Sequence, residues 1–128
     1  MKEKELIEEF PFLSNILMSN DEEGDVGLED LMIEEVPKGW NRLVLAMCKE
    51  LKQALVKAGQ LEEYKVLQAK EKYGSLRWHE DKAYDCTKDI IKKYYQISKN
   101  TCAWCGKPAT RTTRGWVCPI CEDCFNKI

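Results

Sequence analysis

The chain has 128 residues, with 20 basic and 22 acidic side chains and a net charge of −2. That length fits one domain, or one small domain with a metal-stapled appendage, and can bury about two-thirds of the unfolded surface. With 44% hydrophobic and 33% charged residues the composition is that of a globular chain, no apolar run approaches the ~20 residues of a membrane span, and a sequence pI near 5.6 argues against a non-specific nucleic-acid binder.

Lys2 to Phe10 reads as a short helix with Leu6, Ile7 and Phe10 on one face. Pro11 interrupts it or opens a second turn, and Phe12, Leu13, Ile16 and Leu17 carry the spacing on to about Met18. Ser19 to Gly27 is an acidic loop. Asp21, Glu22, Glu23 and Asp25 lie close together there, but they lack the acid spacing and central glycine of a calcium loop. Leu28 to Glu35 is a short helix candidate, with Leu28, Leu31 and Met32 inward, and Val36 to Gly39 is a turn.

Trp40 to Ala58 is the strongest helix, with Trp40, Leu43, Val44, Met47, Leu51, Ala54, Leu55 and Ala58 on its inner face. Gly59 suits its end. Cys48, at the edge of the stripe, reads as a core thiol. Tyr64 to His79 has the pattern of a β-hairpin turning at Lys72-Tyr73-Gly74-Ser75, over a core of Val66, Leu67, Leu76 and Trp78. Lys82 to Ser98 is a second long helix, with Asp81 or Asp85 at its start and Tyr84, Ile90, Ile91, Tyr94, Tyr95 and Ile97 as its apolar stripe. Cys86 reads as a packing residue.

Five of the seven cysteines fall in the last stretch, Thr101 to Ile128. Cys102 and Cys105 form one C-x-x-C pair, and Cys118, Cys121 and Cys124 form two that overlap. Two such pairs around a short hairpin are the spacing of a structural zinc site, because thiolates three residues apart on a tight turn can reach one metal at about 2.3 Å. Gly106 suits the knuckle. Two ligand sets compete. Pairing Cys102 and Cys105 with Cys121 and Cys124 leaves 15 residues between the pairs, and pairing them with Cys118 and Cys121 leaves 12. The first is favoured. Arg111 to Val117 reads as a hairpin bending at Gly115, Pro119 breaks the strand, and Glu122 and Asp123 suit the first turn of a helix starting near Cys121. The order knuckle, hairpin, helix describes a treble-clef finger holding one structural Zn2+. Trp104 and Trp116 are the expected docking residues, since so small a finger has almost no core.

The expected architecture is therefore α+β. Helices pack on a small antiparallel hairpin, and a treble-clef-like zinc finger follows. Residues 1–37 form an acidic helical arm of net charge −10, residues 38–99 a body of net charge +6, and residues 100–128 a finger of net charge +2, docked on the body. This split marks a basic partner for the front and an acidic one for the rest, or an arm folded back over the body; the second is the simpler account. MKEKELIEEF lacks the apolar core of a signal peptide, so the expected compartment is a reducing cytosol.

From Gly39-Trp40 onward, the chain resembles a family of small phage and prophage proteins of unknown function. The resemblance is carried by the Gly-Trp opening the central helix, by VLQAKEKYGSLRW, and by TCAWCG…GWVCPICEDC. Family members have V-x-V-K-E-K-F-G-G-L-R-F and a C-x-x-C-G…G-W-x-x-x-x-C-x-x-[HC] ending. Matching that ending implies ligands at Cys102, Cys105, Cys121 and Cys124, with Cys118 outside the set. It implies a mobile-element origin, and with it the cytoplasm of a bacterial host cell, and no activity.

Catalysis is not expected. The single histidine, His79, sits at a strand end, whereas H-N-H nucleases with this kind of finger need histidines on the finger itself. No phosphate-binding loop or nucleophile triad can be assembled. The favoured function is an interaction module that binds a host or phage protein, including a defence system it would block. The alternative is a nucleic-acid-binding regulator using Lys65, Lys70, Lys72, Arg77, Arg111 and Arg114. No membrane and no small-molecule substrate are expected.

Overall fold

A computed structural model describes residues 3–16, 33, 35–113, 115 and 117–127. The acidic loop 19–27 lies outside them, as does most of the expected helix over 28–35. Helix α1 (Glu3–Glu9) is followed by a 3-10 turn over Pro11–Leu13, where proline's fixed φ opens the turn. The described chain then continues as a turn to Ile16 rather than as a second helix.

Helix α2 (Asn41–Ala58) is entered through a 3-10 turn at Lys38–Trp40. Its 3–4 spacing buries Leu43, Val44, Met47, Cys48, Leu51 and Leu55, and Trp40 is fully buried just before it. Cys48 sits in the core itself, not at its edge. Ala58, expected inward, is exposed on the last turn.

Strands β1 (Val66–Lys72) and β2 (Ser75–Glu80) form an antiparallel hairpin. Tyr73 and Gly74 make its two-residue turn with φ of 54° and 80°, the type I′ geometry that matches strand twist. A bulge between Val66 and Gln68 shifts the register by one residue. Val66 and Ala69 therefore both face the core, and Leu67, expected there, is 58% exposed. Each outer edge is partly covered by one hydrogen bond: the Glu71 amide donates to the Glu35 carbonyl at 3.0 Å and the Leu76 amide to the Ser98 hydroxyl at 2.8 Å.

Helix α3 (Asp85–Ser98) starts later than its pattern suggests. Tyr84 is its N-cap with no side-chain cap, and neither Asp81 nor Asp85 fills that role, because Asp81 accepts from the Lys82 amide instead. Its buried positions include Thr87 and Ser98, while Ile97, expected inward, is 39% exposed. Polar burial works there because Thr87 donates to Glu80 at 2.6 Å and Ser98 meets both the Tyr95 carbonyl and the β2 edge.

One core runs from Leu6, Phe10, Phe12 and Leu13 through Ile33, Val36 and α2 to the hairpin and Tyr94. Tyr64 ties these parts together. Its ring meets Phe12 and Tyr84 edge-on at 5.3 and 5.1 Å, and its hydroxyl accepts from the Trp78 indole at 3.0 Å. The C-terminal part has strands β3 (Arg111–Thr112) and β4 (Pro119–Ile120), helix α4 (Glu122–Phe125) and a small cluster of its own around Cys102, Ile120 and Cys121. Pro119 begins β4 opposite Thr112, where the sequence had suggested a strand break; proline is tolerated at a strand's first residue. The fold is α+β, with a cysteine cluster that fits a zinc finger. Among the described residues, no helix is long and apolar enough to cross a membrane.

Candidate metal centre

Two turns deliver the thiols. In the first, the Cys102 amide donates to the Lys107 carbonyl at 2.8 Å and the Gly106 amide to the Cys102 carbonyl at 3.0 Å, closing the knuckle that holds Cys102 and Cys105. In the second, Cys121 is the N-cap of α4, and its sulfur accepts from the Cys124 amide at 3.4 Å. The four sulfurs of Cys102, Cys105, Cys121 and Cys124 lie within 4.8 Å of one another, and Cys105 and Cys121 are 3.5 Å apart. A tetrahedral site with metal–sulfur bonds of 2.3 Å has sulfur–sulfur edges of about 3.8 Å, so the cluster has the size of a metal site. All seven cysteines are free thiols.

The electrostatics point the same way. Burial pushes the Cys102 thiol up, but amide donors at Cys121, Cys105 and Trp104 and the Cys105 thiol outweigh it and bring Cys102 down to about 6. Cys124 is pushed up to about 12 by its hydrogen bond with Cys121, then by burial, the other thiols and the Cys102 charge. One thiolate forms readily and the next is resisted, chiefly because the remaining thiol keeps its proton in a hydrogen bond to a neighbouring sulfur and because burial disfavours a second charge. A divalent cation removes that conflict.

Cys118 is outside the cluster. It is buried on the finger hairpin, its amide donating to the Thr113 hydroxyl at 2.9 Å.

The finger meets the body through its own backbone carbonyls rather than through the Trp104 side chain. The Gly39 amide donates to the Ala103 carbonyl at 2.8 Å, and the Trp40 indole donates to the Thr101 carbonyl at 2.9 Å. A Cβ on Gly39 would sit 2.3 Å from the Cys102 carbonyl oxygen, so only glycine permits this approach. Trp104, the expected docking residue, is 53% exposed, and Trp116 lies outside the described residues. The Gly39-Trp40 pair was visible in the sequence, but no local signal said what it would touch.

Comparison with protein-family profiles, with curated proteins and with solved structures returns no match. Of the six cationic positions considered for nucleic acid, the five among the described residues fall on two separate parts of the fold, the hairpin and the finger. Lys70 and Arg77 stand opposite each other on the hairpin, and Lys65 and Lys72 are exposed. Arg77 lies 5.3 Å from the Tyr95 ring, which Lys99 also approaches at 5.5 Å. Arg111 lies 3.6 Å from the Phe125 ring and pairs with Glu122 at 3.3 Å. Arg114 is outside the described residues. His79 is exposed, opposite Gln68.

Proposed function

We propose that this chain is a non-enzymatic interaction protein whose finger holds one structural zinc ion and whose surface binds a protein partner. The closed donor set carries this reading. Four convergent thiolates are the soft tetrahedral set that zinc takes in structural sites, and they leave no coordination position for water. When bound, the ion supplies folding energy to the finger rather than chemistry. Exposed Tyr73, Trp104 and Val117 give a partner apolar surface to bury. The resemblance to phage-encoded proteins makes a bacterial host protein, including a defence component, the partner to seek.

Elemental analysis is expected to find one zinc ion per chain. Cys124→Ser should lose it and Cys118→Ser should keep it, and the reverse pattern would overturn the ligand set. A pull-down of the zinc-loaded chain from bacterial lysate, with and without nuclease, tests the partner. A single protein retained after nuclease treatment supports the reading. Recovery of nucleic acid alone would favour the second reading, a nucleic-acid-binding regulator, which the opposed Lys70 and Arg77 support and the engaged Arg77 and Arg111 weaken.

A further inference from the structure

Three clefts lie along the junction of finger and body, and neighbouring clefts share walls. The first, about 550 Å³, is lined by Tyr73 and Val117 with Lys70 and Lys72 at its rim. It shares Glu71 with the second, about 440 Å³, lined by Val36, Pro37 and Cys118. The second shares Lys38 and Trp104 with the third, about 430 Å³, which adds Arg42 and Lys107. The three clefts thus form a row, here called the seam, from the hairpin tip to the start of α2.

Its chemistry is uneven in two ways. Tyr73, Trp104 and Val117, at 79%, 53% and 47% exposure, all stand along it. Among the described residues, five cations line it (Lys38, Arg42, Lys70, Lys72 and Lys107) against two carboxylates. Glu71 accepts from the Gly74 amide at 2.9 Å and Glu35 from the Gln68 amide at 3.0 Å, and Lys38 and Arg42 are likewise engaged. Lys107 reaches Asp123 at 3.6 Å, a distance and exposure at which the pair competes weakly with another anion. Tyr73 adds a further pointer. It is the one described non-glycine residue with positive φ, a conformation that costs a tyrosine about 1–2 kcal/mol and that asparagine takes more easily. The type I′ turn requires positive φ at this position but not a tyrosine, so the exposed ring suits an anchor.

We infer that this seam is the docking surface for an extended acidic segment of a partner protein, with bulky apolar side chains seated at Tyr73–Val117 and at Trp104. This rests on the protein-binding reading above and names its site. Charge complementarity selects an acidic occupant, while the exposed aliphatic wall of Val117 suits side chains better than stacked bases.

The test uses the full zinc-loaded chain and a fluorescein-labelled peptide alternating glutamate and leucine, read by anisotropy. A glutamine-for-glutamate peptide and labelled oligothymidylate are the comparisons. The acidic peptide should bind, weaken with salt, and lose about tenfold in affinity on Tyr73→Asn, on Trp104→Ala and on Lys70→Glu with Lys72→Glu. Tyr73→Asn should keep or raise the melting temperature, so its loss of binding is not unfolding. Equal binding of the neutral peptide, affinity unmoved by all three changes, preferential binding of oligothymidylate, or a seam buried by self-association would each overturn the inference. A pulled-down partner retained equally by Tyr73→Asn and Trp104→Ala would overturn the seam alone and leave the protein-binding reading standing.

Discussion

The body buries Trp40, Met47, Leu51, Leu55, Tyr64 and Trp78 in one continuous core, whereas the finger's own cluster has, among the described residues, three buried members, Cys102, Ile120 and Cys121. The body's order comes from area removed from water, at about 25 cal/mol per Å². The finger has too little such area, and its four clustered thiols are the group through which a cation would stabilise it. One chain thus carries two kinds of stability, joined at Gly39 and Trp40, and the two should respond to different insults.

The largest separation is expected on metal removal. Structural zinc contributes on the order of 10 kcal/mol or more to small fingers, so chelation or Cys121→Ser should unfold residues 100–128 and leave the body's helical circular dichroism and cooperative melt in place. Loss of the whole melt would show that the body cannot stand without the finger. Leu51→Ala attacks the other side. It should cost the body about 2–5 kcal/mol in denaturant unfolding while zinc affinity stays within about twofold. Gly39→Ala tests the joint. Its Cβ would meet backbone rather than a yielding side chain, so a cost of about 1–3 kcal/mol and a changed Trp40 fluorescence are expected, with zinc still bound.

Alkaline pH gives the smallest and most graded contrast. Burial pushes the Cys48 thiol far above its ordinary value of 9.0, and the Tyr64 and Tyr94 hydroxyls are likewise pushed up by burial. These groups keep their protons in the folded body and lose them in the unfolded chain. Their contribution is complete below about pH 9 and is lost as pH rises through the raised values. The metal centre runs the other way, since deprotonation creates its ligands and falling pH loosens it. Melting curves from about pH 7 to about pH 10.5, with and without zinc, should show the body weakening as the finger holds.

The features readable from sequence were those set by local chemistry. The cysteine spacing placed the cluster, because two C-x-x-C turns need nothing distant to form. Lys72-Tyr73-Gly74-Ser75 announced the hairpin turn, and the period of α2 announced its buried face. What escaped was decided by contacts across the fold. Leu67 left the core because a bulge shifted its register, which alternation alone does not reveal. Thr87 and Ser98 entered it because Glu80 and the β2 edge waited for their hydroxyls. Trp104 was expected to dock by its bulk, but Gly39 made backbone contact possible and left the indole outside.

The partly covered hairpin edges have a consequence for the protein at high concentration. A two-stranded sheet with open flanks is a template on which further copies can add strands and grow into fibrils. Here the Glu35 carbonyl occupies one flank and the Ser98 hydroxyl the other. An incoming strand must first displace a bond the fold already makes, so this sheet resists polymerising while its flanking segments stay in place.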